Sequence, residues 1–145
     1  SILVITNNIN VAGILWPSRN IQVMVAGGTI RPIDGGIIGS STEEFISSFK
    51  LDYAIIGCSA IDDSGEILEY DLREVRVTKA IIRQARTVIL VTDSMKMKRT
   101  APVKVGTLED IDILVTDNNI PSEFMDLCLK HNVDVRIAQP SVNRD

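Results

Sequence analysis

Tyr53-Ala54-Ile55-Ile56-Gly57-Cys58-Ser59-Ala60-Ile61-Asp62-Asp63-Ser64-Gly65 reads as a buried strand that runs out into small and polar residues. Its opening apolar run shows no polar alternation, which suits a strand covered on both faces. The small residues that follow leave space at the strand's carboxyl end, where ligands gather in open α/β sheets. Gly57 gives room there, Ser59 can hydrogen-bond a hydroxyl or phosphate oxygen, and Asp62 adds a carboxylate. Asp62-Asp63-Ser64-Gly65 is equally a turn sequence, and Asp63 and Ser64 are read as turn residues.

Similar apolar runs recur on either side, at residues 2–5, 21–26, 88–91, 113–115 and 133–137. Helical patterns lie between them. Residues 8–15 suit a short helix limited by Pro17. Ser41 has capping-box spacing to Glu44, ahead of Phe45, Ile46 and Phe49. Asp71 can cap a helix over 72–85, with Leu72, Val75, Ile82 and Ala85 as its buried stripe. Pro121 suits the first turn of a last helix, with Phe124, Leu127 and Cys128 inward. Strands alternating with helices predict a doubly wound, mostly parallel α/β domain over residues 1–145, with a small antiparallel flap near 65–70.

At 145 residues, 45% of them hydrophobic and 23% charged, the chain can bury a core without staples. No apolar run reaches the ~18–20 residues of a membrane helix, and no secretory signal opens the chain. Cys58 and Cys128 sit in apolar surroundings and read as reduced buried thiols, which points to the cytoplasm. The net charge of −4 argues against nucleic-acid contact by this chain itself. His131 has no nucleophile partner and no His/Cys cluster has zinc spacing, so neither a triad, a metal nor a cofactor is expected. Ser1 leads straight into a strand-like run, and further sequence upstream is expected.

The other strand exits supply further candidates. Thr6-Asn7-Asn8 can present short polar groups and free amides to an anion; alternatively Thr6 or Asn7 caps the helix. Gly27-Gly28 permits close backbone approach or an ordinary turn. Arg31, Asp34, Gly35, Gly36 and Gly39 lie in a stretch that reads as a mobile loop. Glu74 and Lys79, five residues apart, are a surface charge pair by default, but a carboxylate and a lysine facing one pocket would suit a hydroxylated, phosphorylated ligand. In Thr92-Asp93-Ser94-Met95-Lys96, Asp93 and Ser94 can brace a loop and Lys96 can turn towards an anion; Lys98 and Arg99 read as solvent-facing.

In order along the chain, Thr6-Asn7-Asn8, Gly27-Gly28, Gly57-Cys58-Ser59-Ala60-Ile61-Asp62, Glu74 with Lys79, and Asp93-Ser94-Met95-Lys96 resemble the sensor domain of DeoR-family regulators. The resemblance covers nearly all of the chain. It implies a fold related to ribose-5-phosphate isomerase, a phosphorylated sugar or polyol effector (glycerol 3-phosphate foremost), and a dimer or tetramer. It also implies an N-terminal helix-turn-helix that touches operator DNA and is absent from this chain. Thr6, Asn7, Asn8, Gly27, Gly28, Gly57, Asp62 and Lys96 would then lie by the effector, Ser59 and Glu74 on its hydroxyls, and Lys79 near its negative charge. The family's Asp-x-Gly-Thr/Ser loop does not precede Thr6, which implies an N-terminal truncation. Its Asp-x-Ser-Lys pattern appears as Asp93-Ser94-Met95-Lys96. Two other readings remain. One is an isomerase on the same fold, with Asp62 or Glu74 as base and Lys79 polarising a carbonyl. The other is an assembly module whose polar exits are only turns and caps.

Overall fold

A computed structural model describes residues 1–140 of the chain. Two compact units account for it: residues 1–50 with 72–84, and residues 51–71 with the chain from 85 onward.

The first unit begins with β1 (Ile2–Thr6), α1 (Ile9–Leu15) and β2 (Ile21–Val25). The strands are parallel, Ile2 opposite Ile21 and Thr6 opposite Val25, as a β-α-β crossover requires. A hairpin follows, β3 (Thr29–Ile30) against β4 (Ile37–Ile38). The stretch expected to be a mobile loop is therefore a pinned turn. Asp34 Oδ1 accepts from the Gly36 amide at 3.0 Å, and the Arg31 amide donates to the Gly36 carbonyl at 2.7 Å.

Helices α2 (Ser40–Ser47) and α3 (Leu72–Gln84) complete this unit. Their core is Ile38, Ile46, Val77 and Ala80, with Phe45 and Ile81 packed against it. Ser41 is not the cap of α2. Gly39, at φ 125°, turns the chain directly out of β4, so the helix starts at Ser40 and no side chain caps it. The stripe of α3 also differs from expectation: Val75, Val77 and Ala80 are buried, whereas Leu72 is half exposed and Ala85 already belongs to the next strand. Leu72 stands in the first turn, short of the part of α3 that contributes Val77 and Ala80 to the core.

The second unit carries β5 (Leu51–Ile56), β8 (Ala85–Val91), β10 (Ile113–Thr116) and β11 (Asp134–Ile137) in a four-stranded sheet, ordered β11-β10-β8-β5 and parallel throughout. Between these come β6 (Ala60–Ile61), β7 (Glu66–Glu69) and β9 (Val103–Thr107), which form a separate antiparallel sheet, and α4 (Ser122–Lys130). The expected flap is thus present, enlarged by a strand. Ala54, Ile56, Val88, Leu90 and Leu114 are buried on one face of the parallel sheet. The two-sided cover expected for the strands fails at β5, the edge strand, where Tyr53 is 64% and Ile55 72% exposed. Helix α4 buries Phe124 and Cys128, and Pro121 stands at its N-cap rather than inside its first turn.

Candidate functional site

In the first unit, the exit of β1 is organised by asparagines. Asn8 has extended backbone and its Oδ1 accepts from the Asn10 and Val11 amides at 2.9 and 3.2 Å, so Asn8 caps α1, not Thr6 or Asn7. Its Nδ2 donates to the Asp34 carbonyl at 3.1 Å. Thr6 Oγ1 accepts from the Asn8 amide, and Asn7 Nδ2 donates to the Ile37 carbonyl, each at 3.1 Å. Each of these side chains therefore ties the exit to itself or to the hairpin.

Gly27 and Gly28 differ in kind. A Cβ on Gly28, whose φ is +148°, would lie 2.1 Å from Thr42 Oγ1 and 2.6 Å from the Ile38 carbonyl oxygen; a Cβ on Gly27 would meet nothing within 4 Å. The buried Thr42 hydroxyl donates to the Gly27 carbonyl at 2.6 Å. Gly28 is thus required by packing, while Gly27 leaves open space beside the strand end.

Glu74 is held by Arg31: Nη1 reaches Glu74 Oε2 at 2.6 Å and Asp34 Oδ2 at 3.3 Å, with the Arg31 side chain only 14% exposed. Lys79 is exposed on α3. Five residues from Glu74, it stands about 140° round the helix, and the structure does not bring the two together.

The second unit gathers its candidates at the carboxyl ends of β5 and β8. Ser59 Oγ donates to Glu69 Oε2 at 2.5 Å, a charge-assisted length, and Glu69 is only 9% exposed. Beside Ser59, Cys58 Sγ donates to Thr92 Oγ1 at 3.7 Å. Burial pushes the Cys58 thiol up and the Thr92 hydrogen bond opposes it; Glu69 and Asp93 add to the rise, while Lys96 opposes it. Glu69, Asp93 and Lys96 thus all act on the Cys58 thiol. Lys96 ends a short 3-10 turn, Ser94–Lys96, and among the described residues makes no ion pair. That turn is fastened by Asp117 Oδ2, which accepts from the Ser94 amide at 2.8 Å. This bond, with those from the Ser94 hydroxyl and the Asn119 amide, keeps the Asp117 carboxyl below its ordinary range.

Gly57 is exposed where β5 ends, and a Cβ there would approach only the Val91 carbonyl, at 3.9 Å. Asp62 is a turn residue: its Oδ1 accepts from the Ser64 hydroxyl at 2.7 Å and from the Ser64 and Glu66 amides at 3.0 Å. Burial acts to raise its carboxyl pKa, but these hydrogen bonds outweigh it and hold the group below its ordinary value. A concavity of about 260 Å³ is lined by Asp63, Lys98, Glu123, Phe124 and Leu127, none of them among the candidate residues. Its Lys98 and Glu123 already pair at 2.9 Å.

Sequence reasoning missed Glu69 and Arg31 as site residues. A bulge between Ile67 and Leu68 breaks the alternation that would have placed Glu69. Arg31 meets its partner across 43 residues, a separation that no local pattern reports. Among the described residues no cluster of His, Cys, Asp and Glu could hold a metal, and no helix is long and apolar enough to cross a membrane.

The sequence model of the DeoR C-terminal sensor domain matches residues 1–118. The chain belongs to this family. Among its relatives, the glycerol-3-phosphate regulon repressor of Escherichia coli (strain K12) is 41% identical over 135 residues, 93% of this chain and 54% of the relative. The Haemophilus influenzae protein of the same description is 46% identical over 113 residues, 78% of this chain and 44% of its own. The HTH-type transcriptional repressor CsqR of E. coli is 33% identical over 136 residues, 94% and 52% of the two chains. This DeoR-type sensor thus spans about half the length of the curated relatives it matches. The fold expected from the resemblance, mixed α/β with a mostly parallel sheet, is the fold observed.

Proposed function

We propose that this sensor domain belongs to a transcriptional repressor, binds a phosphorylated sugar or polyol, and thereby controls DNA binding made by another part of the protein. Glycerol 3-phosphate is the first candidate, because two relatives above 40% identity are named for its regulon. The observation that carries the reading is that two neighbouring parallel strands, β5 and β8, lead at their carboxyl ends to the Ser59–Glu69 pair and to Lys96, which makes no ion pair among the described residues. A lysine matches phosphate charge, and the oxygens match hydroxyls.

In the second unit Gly57 leaves backbone open to a ligand, and in the first Gly27 leaves space beside the exit that Thr6 and Asn7 shape. Asn8, Gly28 and Asp62 shape the exits through their turns, caps and packing. Lys79 contributes positive charge from the surface of α3. The domain acts as a binding module rather than an enzyme: the two carboxylates that an isomerase would use as base, Asp62 and Glu74, are both engaged, in a turn and with Arg31. The whole protein works in the cytoplasm as a homo-oligomer. An effector acts only through its differential affinity for two states of the repressor. Titration calorimetry of glycerol 3-phosphate and related sugar phosphates into the full-length protein tests the proposal. Saturable binding is expected, and no heat with any of them would refute it.

A further inference from the structure

We infer that Ser59 and Glu69 form a hydroxyl-reading element, which selects effectors bearing a free hydroxyl by accepting a hydrogen bond from it. The inference rests on the effector reading above and assigns it a chemistry. Glu69 is the one carboxylate among the buried described residues. No Lys or Arg among the described residues pairs with it; its hydrogen bond comes from the Ser59 hydroxyl, at 2.5 Å.

Two consequences follow. A serine has one O–H, and here it is given to Glu69, so Ser59 has only lone pairs left to offer. It cannot donate to a phosphate oxygen while that bond stands. Glu69 uses Oε2 for the serine, which leaves Oε1 as a second acceptor. Oε1 is not sealed from solvent, since the sole sealed and unpartnered side-chain atom among the described residues is Thr116 Oγ1. The pair thus presents two acceptors and no donor. Phosphate is repelled by such a surface, whereas a hydroxyl donor fits it. Lys96, near enough to act on the neighbouring Cys58 thiol, supplies the opposite preference alongside. One end of the cluster favours an anion and the other an alcohol.

The test uses the full-length protein with glycerol 3-phosphate and with propyl phosphate, which keeps the phosphate and lacks both hydroxyls. For the native protein, propyl phosphate should bind roughly tenfold or more weakly, because its approach leaves polar groups unpaired. Glu69→Gln replaces one of the two acceptor oxygens with an amide donor and removes the negative charge. It should weaken glycerol 3-phosphate about tenfold and propyl phosphate by less than about threefold. Ser59→Ala should narrow the discrimination in the same direction, and it carries the comparison if Glu69→Gln fails to fold by circular dichroism. Equal losses for both ligands, or none for either, would overturn the inference and leave the effector reading standing. A native protein that binds neither glycerol 3-phosphate nor any related sugar phosphate would remove both.

Discussion

Replacing Gly28 with alanine should damage the domain far more than the same change at Gly27, and the structure gives the scale. Gly28 has φ +148°, a conformation that costs an L-residue about 1–3 kcal/mol. Its new Cβ would stand 2.1 Å from Thr42 Oγ1 and 2.6 Å from the Ile38 carbonyl oxygen. That carbonyl belongs to β4, paired to β3 with Thr29 opposite Ile38, so it has little freedom to retreat. Overpacking of this kind costs about 1–3 kcal/mol. If Thr42 moves instead, its buried hydroxyl loses the Gly27 carbonyl, again about 1–3 kcal/mol. Because one relaxation relieves part of the other, about 3–5 kcal/mol is expected in total, a large part of the ~5–15 kcal/mol typical of a domain. Gly27→Ala, with nothing within 4 Å and no left-handed φ, should change stability by less than about 1 kcal/mol. Equilibrium urea unfolding followed by circular dichroism compares the two. Equal losses, or a Gly28→Ala loss below about 1 kcal/mol, would refute the packing argument.

Asn8→Ala removes the cap of α1 and the side-chain bond to the Asp34 carbonyl, and should lower stability in the same assay by about 1–2 kcal/mol. Asp62 has its folded pKa depressed, so its contribution is present above the unfolded value near 4 and is lost as pH falls through the folded one. Asp62→Asn should therefore cost about 1 kcal/mol at neutral pH, after discounting for solvent screening, and should flatten stability against pH below about 4; an unchanged acid limb would count against the turn. Burial pushes the Cys128 thiol up to about 11. Neither it nor Cys58 should react with a thiol reagent at pH 7 until urea unfolds the chain, and fast labelling of the native protein would contradict their burial. Because the folded pKa of Cys128 is raised, stability should decline from about pH 9 towards pH 11 as the unfolded chain loses its proton first.

The parallel strands were legible because each reports itself locally. The run at 53–56 became β5 with two further residues at its start, and the runs at 88–91 and 113–115 became β8 and β10. The polar exits were legible for the same reason. Helix ends were less so. Ser41 and Glu44 have capping spacing, but the left-handed turn at Gly39 begins the helix earlier, and a glycine does not announce its φ. Strands β3 and β4 have two residues each, too few for a period to show. Within the site, Ser59 was readable from its place after β5. Its partner was not, since Glu69 is positioned by a bulge and an antiparallel sheet. Arg31 read as a loop residue because its meaning lies in Glu74, on a helix 43 residues later.

The proposed function requires this domain to convert the presence of a phosphorylated polyol into a change in DNA binding. Fluorescence anisotropy of the full-length protein on operator DNA selected by it from random sequence, with and without saturating glycerol 3-phosphate, measures that conversion. A coupling of the usual 1–3 kcal/mol predicts a change in DNA affinity of about 5- to 150-fold. An affinity unmoved by glycerol 3-phosphate and by every related sugar phosphate would contradict it.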